Sequence, residues 1–149
     1  AETAVQPEES EFLALVNGLL LHSHKMAKLM RRADGVRARL VLETMMRPAM
    51  LTMIAWHAQA LFGPERDTWY NGRYLDEWAD PRVLAALPNT YGGAASEETW
   101  RSLFGTFIMF RWLAEETAVQ WQYTFPDKAT NQVMDWIREL YFAATQLYH

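Results

Sequence analysis

The sequence predicts an all-α fold: an up-and-down helical bundle of four long helices, with a long, partly helical connection between the second and third. Three observations carry this prediction. Apolar residues recur at spacings of three and four rather than in strict alternation. Half of the 149 residues are hydrophobic and 13% are aromatic, enough for one sizeable core, so residues 1–149 read as a single domain. Most of the glycines and prolines fall in one window, residues 63–95, which marks a single long connection.

The first helix is expected from Glu8 to Arg32, with apolar residues at 12, 15, 16, 19, 20, 26, 29 and 30. Pro7 suits its first turn, and Glu8, Glu9 and Glu11 complement the positive end of the helix dipole. Asp34-Gly35 interrupts the pattern, and Asp34 is placed to cap a second helix that Gly63-Pro64 ends after Phe62. Leu42, Met45, Met46, Ala49, Met53, Trp56 and Ala60 form its apolar stripe, where methionines suit irregular gaps. Asp80-Pro81 opens a short helical piece in the connection, and a connection of this length is often functional. Ser96 is expected to cap the third long helix, whose wide stripe includes Trp100, Phe104, Phe107, Phe110 and Trp121. Pro126 opens the last helix, with Val133, Trp136, Ile137, Leu140, Tyr141 and Ala144 on one face.

Composition excludes several classes of function. The longest apolar stretch, Phe12 to Leu21, falls well short of the roughly 20 residues that span a bilayer, so no membrane partner is expected. The start AETAVQPEE lacks the basic-then-apolar order of a secretory leader, and a cytoplasmic location is expected. The absence of cysteine removes disulfides, thiolate metal sites and a thiol nucleophile. Net charge is −4 but unevenly spread: residues 1–24 hold four acids and no Lys or Arg, whereas residues 25–47 hold seven cations and two acids. That cationic strip reads either as a solvated helix face or as a phosphate-facing one.

No self-sufficient catalytic motif is present. His22 and His24 are two residues apart and so lie on different helix faces, whereas helical metal pairs want spacings of three or four. No metal site is expected. His57 reads as a hydrogen-bonded core or groove histidine rather than a general base. Gly92-Gly93 is followed by no closely spaced aspartates, although nucleotidyl transfer needs clustered carboxylates to hold Mg²⁺. The strip of Lys28, Arg31, Arg32, Arg37, Arg39 and Arg47 lacks the aromatic interleaving of single-stranded nucleic-acid grooves, so nucleic acid is not an expected partner. The connection differs, because Trp69, Tyr70, Arg73, Tyr74, Trp78 and Tyr91 place large rings on a loop-like segment. They read either as a cap on the open end of the bundle or as the lining of a pocket for a polar, ring-shaped ligand.

Six segments in order resemble one family. Arg47-Pro-Ala-Met-Leu-Thr-Met-Ile-Ala-Trp56-His57 is similar to the R-P-x-L-L-x-M-L-x-W segment of the bacterial aminoglycoside 6-adenylyltransferases, the streptomycin-modifying nucleotidyltransferases. Gly72-Arg73-Tyr74-Leu75 resembles G-K-Y-L, and Thr90-Tyr91 resembles T-Y. Trp100-Arg-Ser-Leu-Phe104, Phe110-Arg111-Trp-Leu-Ala114 and Tyr123-Thr-Phe-Pro126 resemble W-x-x-L-F, L-F-R-x-L-A and F-x-Y-P. The resemblance covers roughly residues 25–141 and implies the helical, substrate-binding C-terminal domain, without the N-terminal nucleotidyltransferase domain that carries Gly-Ser and Asp-x-Asp.

The resemblance implies a division of roles. The base that activates the aminoglycoside is expected among Glu8, Glu9 and Glu11, although the Phe-Trp-Trp run expected after it is Phe12-Leu13-Ala14 here. Substrate contacts are expected from Trp56, His57, Trp69, Tyr70, Tyr74 and Tyr91, and nucleotide-phosphate contacts from Lys28, Arg32 and Arg73. Arg73 keeps the charge of the family's Lys, whereas Ala55 replaces a usual Glu. No cofactor is expected in this chain, and Mg²⁺ and ATP are expected only with a partner catalytic domain. Expected partners are an aminoglycoside-like ligand and an N-terminal or separate nucleotidyltransferase domain. The alternative is a stand-alone helical module that forms a homodimer or docks on a separate nucleotidyltransferase, as in toxin–antitoxin pairs.

Overall fold

The computed structural model describes residues 5–66, 75–93 and 95–146, and no strand occurs among them. Helix α1 spans Glu9–Arg31. Helix α2, Gly35–Val41, continues through a π-helical segment, Leu42–Met46, into α3, Arg47–Phe62, so that the three form the expected second rod. The connection carries α4, Leu75–Trp78, then α5, Pro81–Ala86, and a 3₁₀ turn, Leu87–Thr90. The last two rods are α6, Ser96–Trp121, and α7, Asp127–Gln146.

Local chemistry sets most of these boundaries. Asp34 Oδ1 accepts the Arg37 N–H at 3.2 Å, capping α2. Asp80 does the same for α5, accepting the Arg82 N–H at 2.9 Å. Two expectations are corrected. Ala95, not Ser96, occupies the cap position of α6, and no side chain bonds there. Pro7 precedes the Glu8 cap of α1 instead of lying in its first turn.

The π segment has an identifiable cause. Pro48 has no N–H to give to the carbonyl four residues back and its ring crowds that carbonyl, so the preceding turn widens. The Arg47 N–H reaches back five residues to the Leu42 carbonyl. This extra residue shifts the apolar stripe. Seven of the eight methionines are buried, but Met45, which the periodicity places on the buried face, is 46% exposed.

Helix α1 packs against α2, α6 and α7, and α3 packs against α6. Phe12, Met26, Met50, Met53, Phe107 and Leu113 are fully buried at their centre, and each such side chain contributes about 1.5–3 kcal/mol by leaving water. Trp136 departs from the expected stripe: it is 41% exposed and lies flat on His24, ring centres 4.9 Å apart. The 3₁₀ turn lies so close to α6 that a Cβ at Gly105 would sit 2.2 Å from the Asn89 carbonyl oxygen. None of the helices is long and apolar enough to cross a membrane, among the described residues.

Candidate functional site

At the end of the bundle where α3 and α6 finish, four side chains form one chain of charged contacts. Glu116 Oε1 lies 2.8 Å from His57 Nε2. Arg82 Nη2 donates to that same oxygen at 2.6 Å, and Nη1 donates to Glu116 Oε2 at 2.9 Å. Arg82 also reaches Asp80 Oδ2 through Nη2 at 2.7 Å and Nε at 3.1 Å. The cap that starts α5 therefore also fixes Arg82 in its fork-like grip on two carboxylates.

The electrostatics follow from this geometry. The Arg82 hydrogen bonds hold Glu116 below the usual carboxylate range against the opposing effect of burial, with a further contribution from His57. Asp80 is held low for the same first reason. Glu116 and then Asp80 push Arg82 upward. An ionised Glu116 only accepts hydrogen bonds, so the hydrogen lies on His57 Nε2. Nδ1 of this fully buried ring has no partner among the described residues. Trp112 forms the floor: His57 meets it edge-on at 5.6 Å, and the Arg82 guanidinium lies 5.2 Å from its ring centre.

A second aromatic group adjoins this network through Trp56, the residue before His57. Trp56 lies 6.3 Å from Phe12 and 6.3 Å from Trp121, and Tyr123 packs on both Phe12 and Trp121. Tyr123 also straps down the start of α1, donating its hydroxyl hydrogen to the Pro7 carbonyl at 2.5 Å and accepting from Gln6 Nε2 at 2.9 Å. The three expected acids are exposed at this same end. Glu9 Oε2 accepts the Thr124 N–H at 3.0 Å, and Glu11 Oε1 accepts the Glu8 N–H at 3.3 Å.

The remaining expected site residues do not converge here. Tyr91 is 52% exposed beneath the Arg47 guanidinium, 4.1 Å from its ring centre, where Arg47 also holds the Thr90 hydroxyl and carbonyl. Arg47 precedes His57 by ten residues, about 15 Å of helix axis, so Tyr91 does not join Trp56 and His57 in one pocket. Lys28 and Arg32 lie at the far end of α1, with about 26 Å of axis between Glu11 and Lys28. A triphosphate held there is out of reach of the three glutamates. Trp69, Tyr70, Arg73 and Tyr74 lie outside the described residues.

Sequence reasoning missed Glu116 and Arg82 and saw Asp80 only as a helix start. No local signal singles out Glu116, because Glu115 precedes it and pairs with Arg111 one turn back. Among the described residues, no three His, Asp or Glu side chains converge to hold a metal ion.

Comparison with known proteins adds three findings. The family model described as streptomycin adenylyltransferase matches residues 2–140. An aminoglycoside 6-adenylyltransferase of Bacillus subtilis (strain 168) is 25% identical over 122 residues, covering 82% of this chain and 43% of the relative. The crystal structure of an aminoglycoside 6-adenyltransferase from Bacillus subtilis shares the fold with a TM-score of 0.81 at 22% identity, over 91% of this chain and 51% of that one. The chain thus spans about half the length of the relatives it matches, or less.

Proposed function

Because this chain belongs to the streptomycin adenylyltransferase family, we propose that it is the substrate-binding helical part of an aminoglycoside nucleotidyltransferase that confers antibiotic resistance. The observation that carries this reading is the acidic and aromatic end of the bundle. Asp80 and Glu116 are held ionised beside the Trp112 indole, with Trp56 adjoining and Glu8, Glu9 and Glu11 exposed at the same end. Aminoglycosides are polycationic, and carboxylates beside flat rings suit their ammonium or guanidinium groups and sugar faces.

One exposed glutamate at the start of α1 accepts the proton of a substrate hydroxyl as its oxygen bonds to the α-phosphorus of the nucleotide and pyrophosphate leaves. Glu116 and Asp80 do not take that proton, because Arg82 holds both carboxylates ionised and hydrogen-bonded. Mg²⁺ and ATP are assigned to a nucleotidyltransferase domain, on the same polypeptide or another.

Calorimetry with streptomycin and a panel of aminoglycosides tests the reading, with binding expected and weakened in the Glu8→Gln/Glu9→Gln/Glu11→Gln variant. Absence of heat with every aminoglycoside at millimolar concentration sinks it. A stable dimer by light scattering, together with that absence, points instead to a stand-alone interaction module.

A further inference from the structure

The cationic strip of residues 25–47 divides into two parts in the folded chain. Arg39 is used up by the carbonyls of Gly92 and Gly93, and Arg47 by Thr90, Tyr91 and Glu43. The two acids of the strip are also committed: Glu43 to Arg39 and Arg47, and Asp34 to Arg37 at 3.5 Å. That leaves Lys25, Lys28, Arg31 and Arg32 with no carboxylate in ion-pairing range among the described residues.

Three of these four lie on one stripe. Lys25, Lys28 and Arg32 follow one another at spacings of three and four, so they are surface neighbours on α1 that repel one another by about 0.2–0.5 kcal/mol per pair. Arg37 faces them from the start of α2 across a groove of about 360 Å³, floored by Leu29 and flanked by His24. The His24 imidazole is pushed down by burial first and then by the neighbouring Lys28. Closing the α1–α2 turn brings a fourth cation, Arg37, towards three that already repel, and the acid at the turn, Asp34, pairs with Arg37 alone.

We propose that this groove is an anion site for a ligand carrying several adjacent phosphates, held by Lys25, Lys28, Arg32 and Arg37. Three cations over about 10 Å of helix axis match a run of phosphates better than a single one. Arg32 and Arg37 supply planar forks, while the lysines act as point charges. A nucleoside triphosphate and an inorganic oligophosphate share this chemistry. The site does not depend on the aminoglycoside reading, because it lies at the opposite end of α1 and takes the opposite charge.

The test is calorimetry on the full chain at low ionic strength, with inorganic tripolyphosphate and ATP in separate titrations. Both are expected to bind, with affinity falling as salt is raised. The Lys28→Gln/Arg32→Gln variant is expected to bind both about tenfold more weakly. Arg101→Gln/Arg138→Gln, which removes two exposed cations elsewhere, is expected to leave both unchanged. Tripolyphosphate binding at least as tightly as ATP assigns the site to the phosphates alone. ATP binding tighter than tripolyphosphate, with both lost in the double variant, assigns it to a nucleotide. The proposal is overturned if neither ligand binds, if the double variant binds as the parent does, or if ATP binds without tripolyphosphate. Preference for a single-stranded oligoribonucleotide at equal phosphate concentration also overturns it, in favour of a nucleic-acid surface.

Discussion

His57 on α3 and Glu116 on α6, 59 residues apart in sequence, meet at 2.8 Å, and this contact pins the end of one rod to the end of the other. The His57 ring is fully buried and its other nitrogen is unpartnered, so Glu116 supplies the only hydrogen bond the ring makes among the described residues. Glu116→Ala leaves that ring with none, and a loss of about 1–3 kcal/mol is expected in urea unfolding. Glu116→Gln keeps an acceptor and should lose clearly less. Equal losses in the two variants would show that the contact with His57 does not matter.

The same network makes stability depend on acid. Asp80 and Glu116 are both held below their ordinary values by Arg82, so their contribution is complete above the usual carboxylate range, near pH 4. It is lost as pH falls through the depressed values, where the folded state must take up protons and release Arg82. Thermal midpoints measured from pH 6 downward should fall more steeply for the parent chain than for Asp80→Asn/Glu116→Gln. Parallel curves would count against the network.

Two glycines in long helices should respond oppositely to alanine. At Gly105 the new methyl meets the Asn89 carbonyl at 2.2 Å, and backbone on both sides has to move, so a loss of about 1–3 kcal/mol is expected. At Gly18 nothing lies within 4 Å, and alanine should stabilise α1 by about 0.5–1 kcal/mol. Chemical denaturation of the two variants side by side checks the signs.

Tyr123→Phe keeps the ring stack but removes the hydroxyl that holds Pro7 and Gln6. A cost of about 1 kcal/mol is expected, concentrated at the start of α1. Hydrogen exchange should quicken there while α7 stays protected. Uniform quickening would mean that the strap is no local device.

The rods were legible in the sequence because their apolar spacing is long and regular, and their ends carry Asp34, Asp80 and Gly63, whose chemistry is local. Met45 was misread because periodicity assumes 3.6 residues per turn throughout, whereas Pro48 widens the turn before it. The candidate site was only half legible. Trp56 and His57 stand out by residue type, but Glu116 and Arg82 gain meaning only when α5 folds back on α6, and nothing local announces a pairing across 34 residues. Glu11 and Lys28 were grouped by their expected roles, and the rise of an intact helix separates them.

The widened turn at Leu42–Met46 works as a phase setting between two halves of one rod. Substitutions within it leave the count of residues unchanged. Deleting one residue there would remove the surplus that the wide turn absorbs and keep the phase, whereas an even pitch at unchanged length would swing everything downstream by about 100°. Arg47 would leave Thr90 and Tyr91, and the connection would lose its anchor. Over this stretch, losing the wide turn at constant length is the change that the downstream contacts are least able to absorb.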